Sequence, residues 1–211
     1  MGFDGDAIRA MVAAIAEEME ANRDELCRLD GVIGDADHGI AMALGFGAAR
    51  DAVAALSPGA EPTAVLNAAA KAFLNAVGAS SGPLYATALM RAGAAVKGRA
   101  TLGEAEAVAM VAAMATGIRD RGKAEVGQKT MLDAWAPAAV AAGEAQAAGK
   151  DLAGCLDAAL ASAREGAEAT KAMLPGKGRA ERLGERAVGH VDPGAASAVI
   201  VIEAMRRSLM G

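Results

Sequence analysis

Apolar residues recur at spacings of three and four almost from one end of this chain to the other, which is the period of an α-helix with one buried stripe. Ile8, Met11, Val12, Ile15 and Met19 form the first stripe, and Leu26 and Leu29 resume it. Leu66, Ala69, Phe73 and Val77 form another, as do Leu152, Leu156, Leu160 and Ala163. The one β-like run, 199–202, is too short and too closely flanked by helical pattern to compete. Hydrophobic residues make up 54% of the chain but aromatics only 2%. A core of Ala, Leu, Val and Met suits closely packed helices better than stacked strands. The expected fold class is all-α.

Start and stop signals divide the chain into roughly eight helices. They run approximately over 4–29, 38–53, 62–77, 83–97, 103–121, 130–148, 151–171 and 193–209. Pro62, Pro83 and Pro193 stand where a first-turn proline belongs, and Asp192 is a candidate N-cap. Pro137 falls inside the sixth helix and is expected to kink or break it. With 211 residues and no long polar linker, one domain over 1–211 is expected.

The connections separate into two kinds. Those around 54–61, 98–102 and 149–150 are short and chemically bland. The others read DGVIGDADHG (30–39), GASSGP (78–83), GKAEVGQKT (122–130) and PGKGRAERLGERAVGHVDPG (175–194). In an up-and-down bundle or barrel, alternate connections lie at the same end, so the rich loops would share one rim. Each leads into a helix N-terminus, where unpaired N–H groups and the dipole favour an anion. Four such ends make a phosphate site without a dedicated lysine loop.

Charge and composition exclude several classes. Net charge is −5, the basic runs near 177–186 and 206–207 are short, and aromatics to stack bases are scarce. Nucleic-acid binding is therefore not expected. No apolar span approaches about 18 residues and no charged-then-apolar leader opens the chain, so neither a membrane span nor secretion is expected. Cys27 and Cys155 lack metal-ligand spacing and read as reduced thiols, which fits a cytoplasmic protein.

Asp30, Asp35 and Asp37 bring three carboxylates together within one loop. Such a cluster is repulsive unless a cation offsets it, and an all-oxygen set suits Mg²⁺ or Ca²⁺. The competing reading is an Asp-rich turn that caps the second helix. An EF-hand is excluded, because counting from Asp35 puts Gly39 at the fifth ligand position and Phe46 at the twelfth.

Two further matches fail. Gly117 to Lys123 spells a P-loop, but Ala124 stands where Ser or Thr should hold magnesium, and a helix precedes it instead of a strand. Gly78 to Gly82 fits a nucleophile elbow with Ser80 central, which also requires a preceding strand. Its serines and glycines read better as donors to phosphate oxygens. His38, at a helix start, is placed to donate to a phosphate, and His190 reads as a residue that orders its loop.

Taken in order, these loops resemble the ADP-binding L subunit of dihydroxyacetone kinases. The resemblance rests on GDADHG (34–39), SGPL (81–84), GQKTM (127–131), GRAERLGER (178–186) and GHVDPGA (189–195). It implies a single-domain, eight-helix antiparallel up-and-down barrel with a nucleotide site at one rim. By position, it implies that Asp30, Asp35 and Asp37 bind two Mg²⁺ ions bridging the phosphates of ADP or ATP. His38, Gly39, Ile40 and Ala41, with Ser80 and Ser81, would contact phosphates. Gly122, Thr130 and Met131, with Arg179, Asp192, Pro193 and Gly194, would hold the rest of the nucleotide.

The family usually has glycine where this chain has Ala36, and a positive φ there would strain the metal loop. The resemblance also implies a partner. The small hydroxyketone would sit on a separate K subunit, and in phosphotransferase-linked versions an M subunit rephosphorylates bound ADP. No catalytic base is assigned to this chain. An ATP-using dihydroxyacetone or tetrulose kinase subunit and a non-catalytic nucleotide-binding regulator are the alternatives.

Overall fold

The computed structural model describes residues 2–78 and 81–210, without the side chains of Arg179 and Ala180. Among the described residues the chain forms nine α-helices. They are α1 (Gly5–Ala21), α2 (Arg23–Ile33), α3 (His38–Ala54), α4 (Pro62–Ala76), α5 (Ser81–Ala95), α6 (Glu104–Gly122), α7 (Leu132–Ala147), α8 (Leu152–Ala169) and α9 (Pro193–Met210). The run 199–202 lies inside α9, and the only β-type pairing among these residues is an isolated bridge between Phe3 and Leu102.

Eight of these helices close a ring. α1 packs on α3, each helix from α3 onward packs on the next, and α9 returns to α1. The expected antiparallel barrel is what forms, with α2 lying against α3 and α9. No described helix is long and apolar enough to cross a membrane.

Three details differ from the sequence reading. The expected first helix is two, separated at Asn22, whose backbone sits at φ −100° and ψ 7°. Its side-chain amide donates to the Glu18 carbonyl, 2.8 Å away, in competition with the helix ladder. The stretch after α8 is not wholly irregular, because it holds short 3-10 turns at Thr170–Ala172 and Arg179–Ala187, the second interrupted at Gly184. Pro137 does not end α7. The carbonyl it leaves without a ladder partner, that of Asp133, abuts Gly166 of α8, where a Cβ would lie 2.0 Å from the oxygen. The close approach of two helices at a glycine shields that carbonyl and lets the helix run on.

The few aromatics fill the barrel. Phe46, Phe73 and Tyr85 meet with ring centroids 4.9–5.6 Å apart, and Trp135 is fully buried as well. Gly45 makes room for them, since a Cβ there would stand 2.5 Å from the Phe73 ring. Elsewhere buried alanines such as Ala69, Ala88, Ala138 and Ala163 set the short helix-to-helix distance. Burial pushes the Tyr85 hydroxyl up to about 12, so it stays a neutral phenol.

The bland connections gather at one end. Phe3 and Leu102 exchange backbone hydrogen bonds of 2.9 and 2.7 Å, and Gly5 is pressed against the Ala60 carbonyl. The Arg9 guanidinium donates to the carbonyls of Val53, Leu56 and Ser57, which satisfies the C-terminus of α3.

Candidate functional site

At the opposite end the four rich connections surround a cavity of about 560 Å³. The N-termini of α3, α5, α7 and α9 border it through His38, Ser81, Leu132 and Pro193. The dipoles of these four helices make this rim favourable to an anion. Ile33, Leu84, Ile118 and Met131 supply apolar lining, and Asp30, Asp35, Asp37 and Asp192 supply acidic lining.

Asp30, in the last turn of α2, organises the acidic side. It is 8% exposed, and its Oδ2 accepts the backbone N–H groups of Asp37 at 3.0 Å and His38 at 3.2 Å. These bonds fold the 34–37 loop back over the helix end. Gly34 allows it, since a Cβ there would stand 2.2 Å from Asp30 Oδ1. Ala36 completes the turn at φ 63°, the left-handed region that disfavours alanine. As a result one ligand oxygen from each of Asp30, Asp35 and Asp37 lies within 4.8 Å of the others. The donors are all carboxylate oxygens, two of them on exposed residues, which fits a hard divalent cation that keeps part of its water.

The other side rests on the loop between α6 and α7. Gly127 and Lys129 both have positive φ, 93° and 58°. Asp133 holds this shape, its carboxylate accepting from the N–H groups of Gly127 at 2.5 Å and Thr130 at 2.7 Å. Lys129 is buried, and its Nζ donates to the carbonyls of Thr170 and His190. Burial pushes its pKa down, while the charges of Asp192 and Asp133 oppose that.

Asp192 caps α9 as expected. Its Oδ2 accepts from Ala195 N at 2.7 Å, and its own N–H donates to Thr170 Oγ1. Burial pushes its carboxyl up to about 7, against the cap hydrogen bond and the Lys129 charge. His38 Nε2 lies 2.9 Å from Ser197 Oγ, one turn into α9. Burial lowers its pKa, with Asp30 opposing.

Of the residues singled out from sequence, the cavity brings together Asp30, Asp35, Asp37, His38 and Ala41 from the first rich loop. Ser81, Gly122, Thr130 and Met131 join from the second and third, and Asp192, Pro193 and Gly194 from the fourth. Gly39 and Ile40 do not line it. Gly39 is pressed against α2, where a Cβ would lie 1.9 Å from the Arg23 carbonyl, and Ile40 is 56% exposed. Ser80 and the Arg179 side chain lie outside the described residues. His190 is exposed and offers its carbonyl to Lys129, consistent with a role in ordering its loop.

Residues 32–207 match the family model described as the DAK2 domain. The chain belongs to that family. It is 36% identical over 210 residues to the ADP-binding subunit of PEP-dependent dihydroxyacetone kinase 2 of Listeria innocua, covering 98% of this chain and 94% of that protein. The corresponding Escherichia coli subunit is 37% identical, covering 84% of each chain. The D-erythrulose kinase of Mycolicibacterium smegmatis is 38% identical over 92% of this chain, but that match is only 34% of the longer protein. The native dihydroxyacetone kinase of C. freundii superimposes with a TM-score of 0.68 at 21% identity, over 98% of this chain and 35% of that one. That likeness supports the barrel fold.

Within this DAK2 domain, sequence reasoning missed Lys129, Asp133 and Ser197. The first two sit in or beside a loop already singled out, where a lysine among glycines reads as solvated. Ser197, inside the apolar stripe of α9, gave no signal short of the fold.

Proposed function

We propose that this chain is the nucleotide-binding L domain, over 1–211, of a dihydroxyacetone-type kinase. It holds Mg-ADP or Mg-ATP and passes the phosphoryl group to a small hydroxyketone carried on a separate K subunit. The observation that carries this reading is one cavity bordered by three clustered carboxylates and four helix N-termini. The names of relatives matched over most of their length, ADP-binding subunits of PEP-dependent and PTS-dependent dihydroxyacetone kinases, support the phosphotransferase-linked version, for which an M subunit is the further partner proposed. A C. freundii homologue complexed with AMP-PNP and Mg²⁺ supports the nucleotide and the metal. A cytoplasmic location fits the phosphotransferase link and the two free thiols.

In this reading Asp30, Asp35 and Asp37 hold two Mg²⁺ ions, whose charge offsets that of the phosphates. The start of α3, where His38 and Ala41 line the cavity, faces the phosphates together with the Ser81 hydroxyl. Gly122, Thr130 and Met131, with Asp192, Pro193 and Gly194, line the cavity and hold the rest of the nucleotide. Chemistry at such a site is positioning and charge stabilisation, and this chain supplies no general base.

A single-turnover assay tests the reading. The chain loaded with γ-labelled ATP and Mg²⁺ should label dihydroxyacetone only when its K-type subunit is added. Retention of the label under those conditions would leave a nucleotide-binding regulator as the better account. Erythrulose as acceptor is the second reading, favoured by the 38% identity to D-erythrulose kinase, and the same assay with erythrulose decides it.

A further inference from the structure

The 170–192 segment crosses the cavity as a strap tied at both ends. At its base, Asp192 N donates to Thr170 Oγ1 at 2.9 Å and Gly189 N to the Lys171 carbonyl at 2.7 Å. Further along, Gly176 N donates to the Gln128 carbonyl at 3.0 Å. Leu183 and Ala187 pack on Ile33 at the end of α2, and Lys177 and Gly178 line the cavity itself.

Lys129 lies beneath these ties. It is 1% exposed and has a left-handed backbone that lysine rarely adopts. Its ammonium donates to the Thr170 carbonyl, where the strap leaves α8, and to the His190 carbonyl, where it returns to α9. Burying an ammonium is costly, and a methionine would fill the same space without that cost. What methionine cannot do is bridge two carbonyls 20 residues apart in sequence. Asp133 holds the turn that presents the lysine, and the carboxylates of Asp133 and Asp192 offset its charge.

We propose that Lys129 is a positioning residue that clamps both ends of the strap and thereby sets how long a bound nucleotide stays. The proposal rests on the nucleotide reading of the cavity. The clamp acts on passage in both directions: the ties are formed without nucleotide, so entry and escape each require breaking them.

The test is Lys129→Met in the full chain, read by backbone hydrogen exchange and by stopped-flow ADP kinetics with Mg²⁺. Exchange at Gly189 and Asp192 should accelerate by about tenfold or more while amides in α1 and α4 keep their protection. ADP dissociation should rise by about tenfold and association by a comparable factor, so that affinity changes little, a pattern that a general loss of structure would not give. Wild-type values for either strap exchange or ADP release in the variant overturn the proposal. If the variant does not fold, the wild type decides alone. Without nucleotide, its Gly189 and Asp192 amides should be protected, and exchange there at the rate of an unstructured chain overturns the clamp. Wild-type protein that fails to bind Mg-ADP contradicts the cavity reading, whereas wild type that binds with an unchanged variant contradicts only the clamp.

Discussion

His38 Nε2 stands 2.9 Å from the hydroxyl oxygen of Ser197, a residue with no exposed surface. The Ser197 hydroxyl donates to the Gly194 carbonyl, so its oxygen is left to accept from Nε2–H. In the neutral ring, the form that burial favours, this puts the proton on Nε2 and leaves Nδ1 as an acceptor. The bond ties the start of α3 to the start of α9, two of the four N-termini at the cavity. Ser197→Ala removes the tie and leaves a ring N–H unsatisfied. We expect a stability loss of about 1–2 kcal/mol and ADP binding weakened by roughly tenfold as the two helix starts lose alignment. Urea melts and calorimetry measure the two effects, and full-strength binding in the variant would mean that this tie does not shape the nucleotide site.

The carboxylate cluster makes a separable prediction. Asp35→Asn or Asp37→Asn keeps the side-chain volume and removes one anionic ligand. Asp30 is the poorer choice, because it also holds the loop through Asp37 N and His38 N. In either variant the gain in ADP affinity that Mg²⁺ brings should fall by roughly a hundredfold, from loss of direct coordination. Circular dichroism should stay that of the wild type. Calorimetry with and without Mg²⁺ measures it; an intact Mg²⁺-dependent gain in both variants would remove the metal assignment.

What could be read from the sequence was set by local pattern. The stripe from Ile8 to Met19 and the alternation of bland and rich loops need only helical geometry and short connections, and they led to the ring and its working rim. The break at Asn22 was hidden because it depends on where one amide side chain turns, towards Glu18 or towards water. The survival of α7 through Pro137 depends on Gly166, a neighbour supplied by another helix. Lys129 and Ser197 were invisible for the same reason, since their partners lie 41 and 159 residues away.

Ala36 is the position where the resemblance and the geometry meet. Its φ of 63° is one that glycine adopts freely and alanine does not. Ala36→Gly should therefore stabilise the metal-free protein by about 1 kcal/mol, the left-handed penalty less the entropy glycine adds to the unfolded chain. Urea melts without Mg²⁺ provide the comparison. A destabilised variant would mean that the turn relaxes away from the left-handed region in solution.

Asp192 gives the protein a pH dependence of unusual sign. Its carboxyl titrates near 3.8 in an unfolded chain and at about 7 when folded, because burial disfavours the ionised form. Lys129 favours ionisation, and Asp133 and Asp30 oppose it. Between these two values the native state holds a proton that the unfolded state has released. Folding stability from this group is therefore fully present below the unfolded value, falls as pH rises through the window, and levels off above about 7. Most carboxylates in native proteins act in the opposite direction, so the measurement must be a difference. Asp192→Asn keeps an N-cap acceptor for Ala195 N and cannot ionise. In nucleotide-free protein, the stability of the variant relative to wild type should rise steadily between about pH 4.5 and 7 and then stay constant. Parallel curves for the two proteins across that range would show that Asp192 is already ionised at the lower pH, with Lys129 holding its charge.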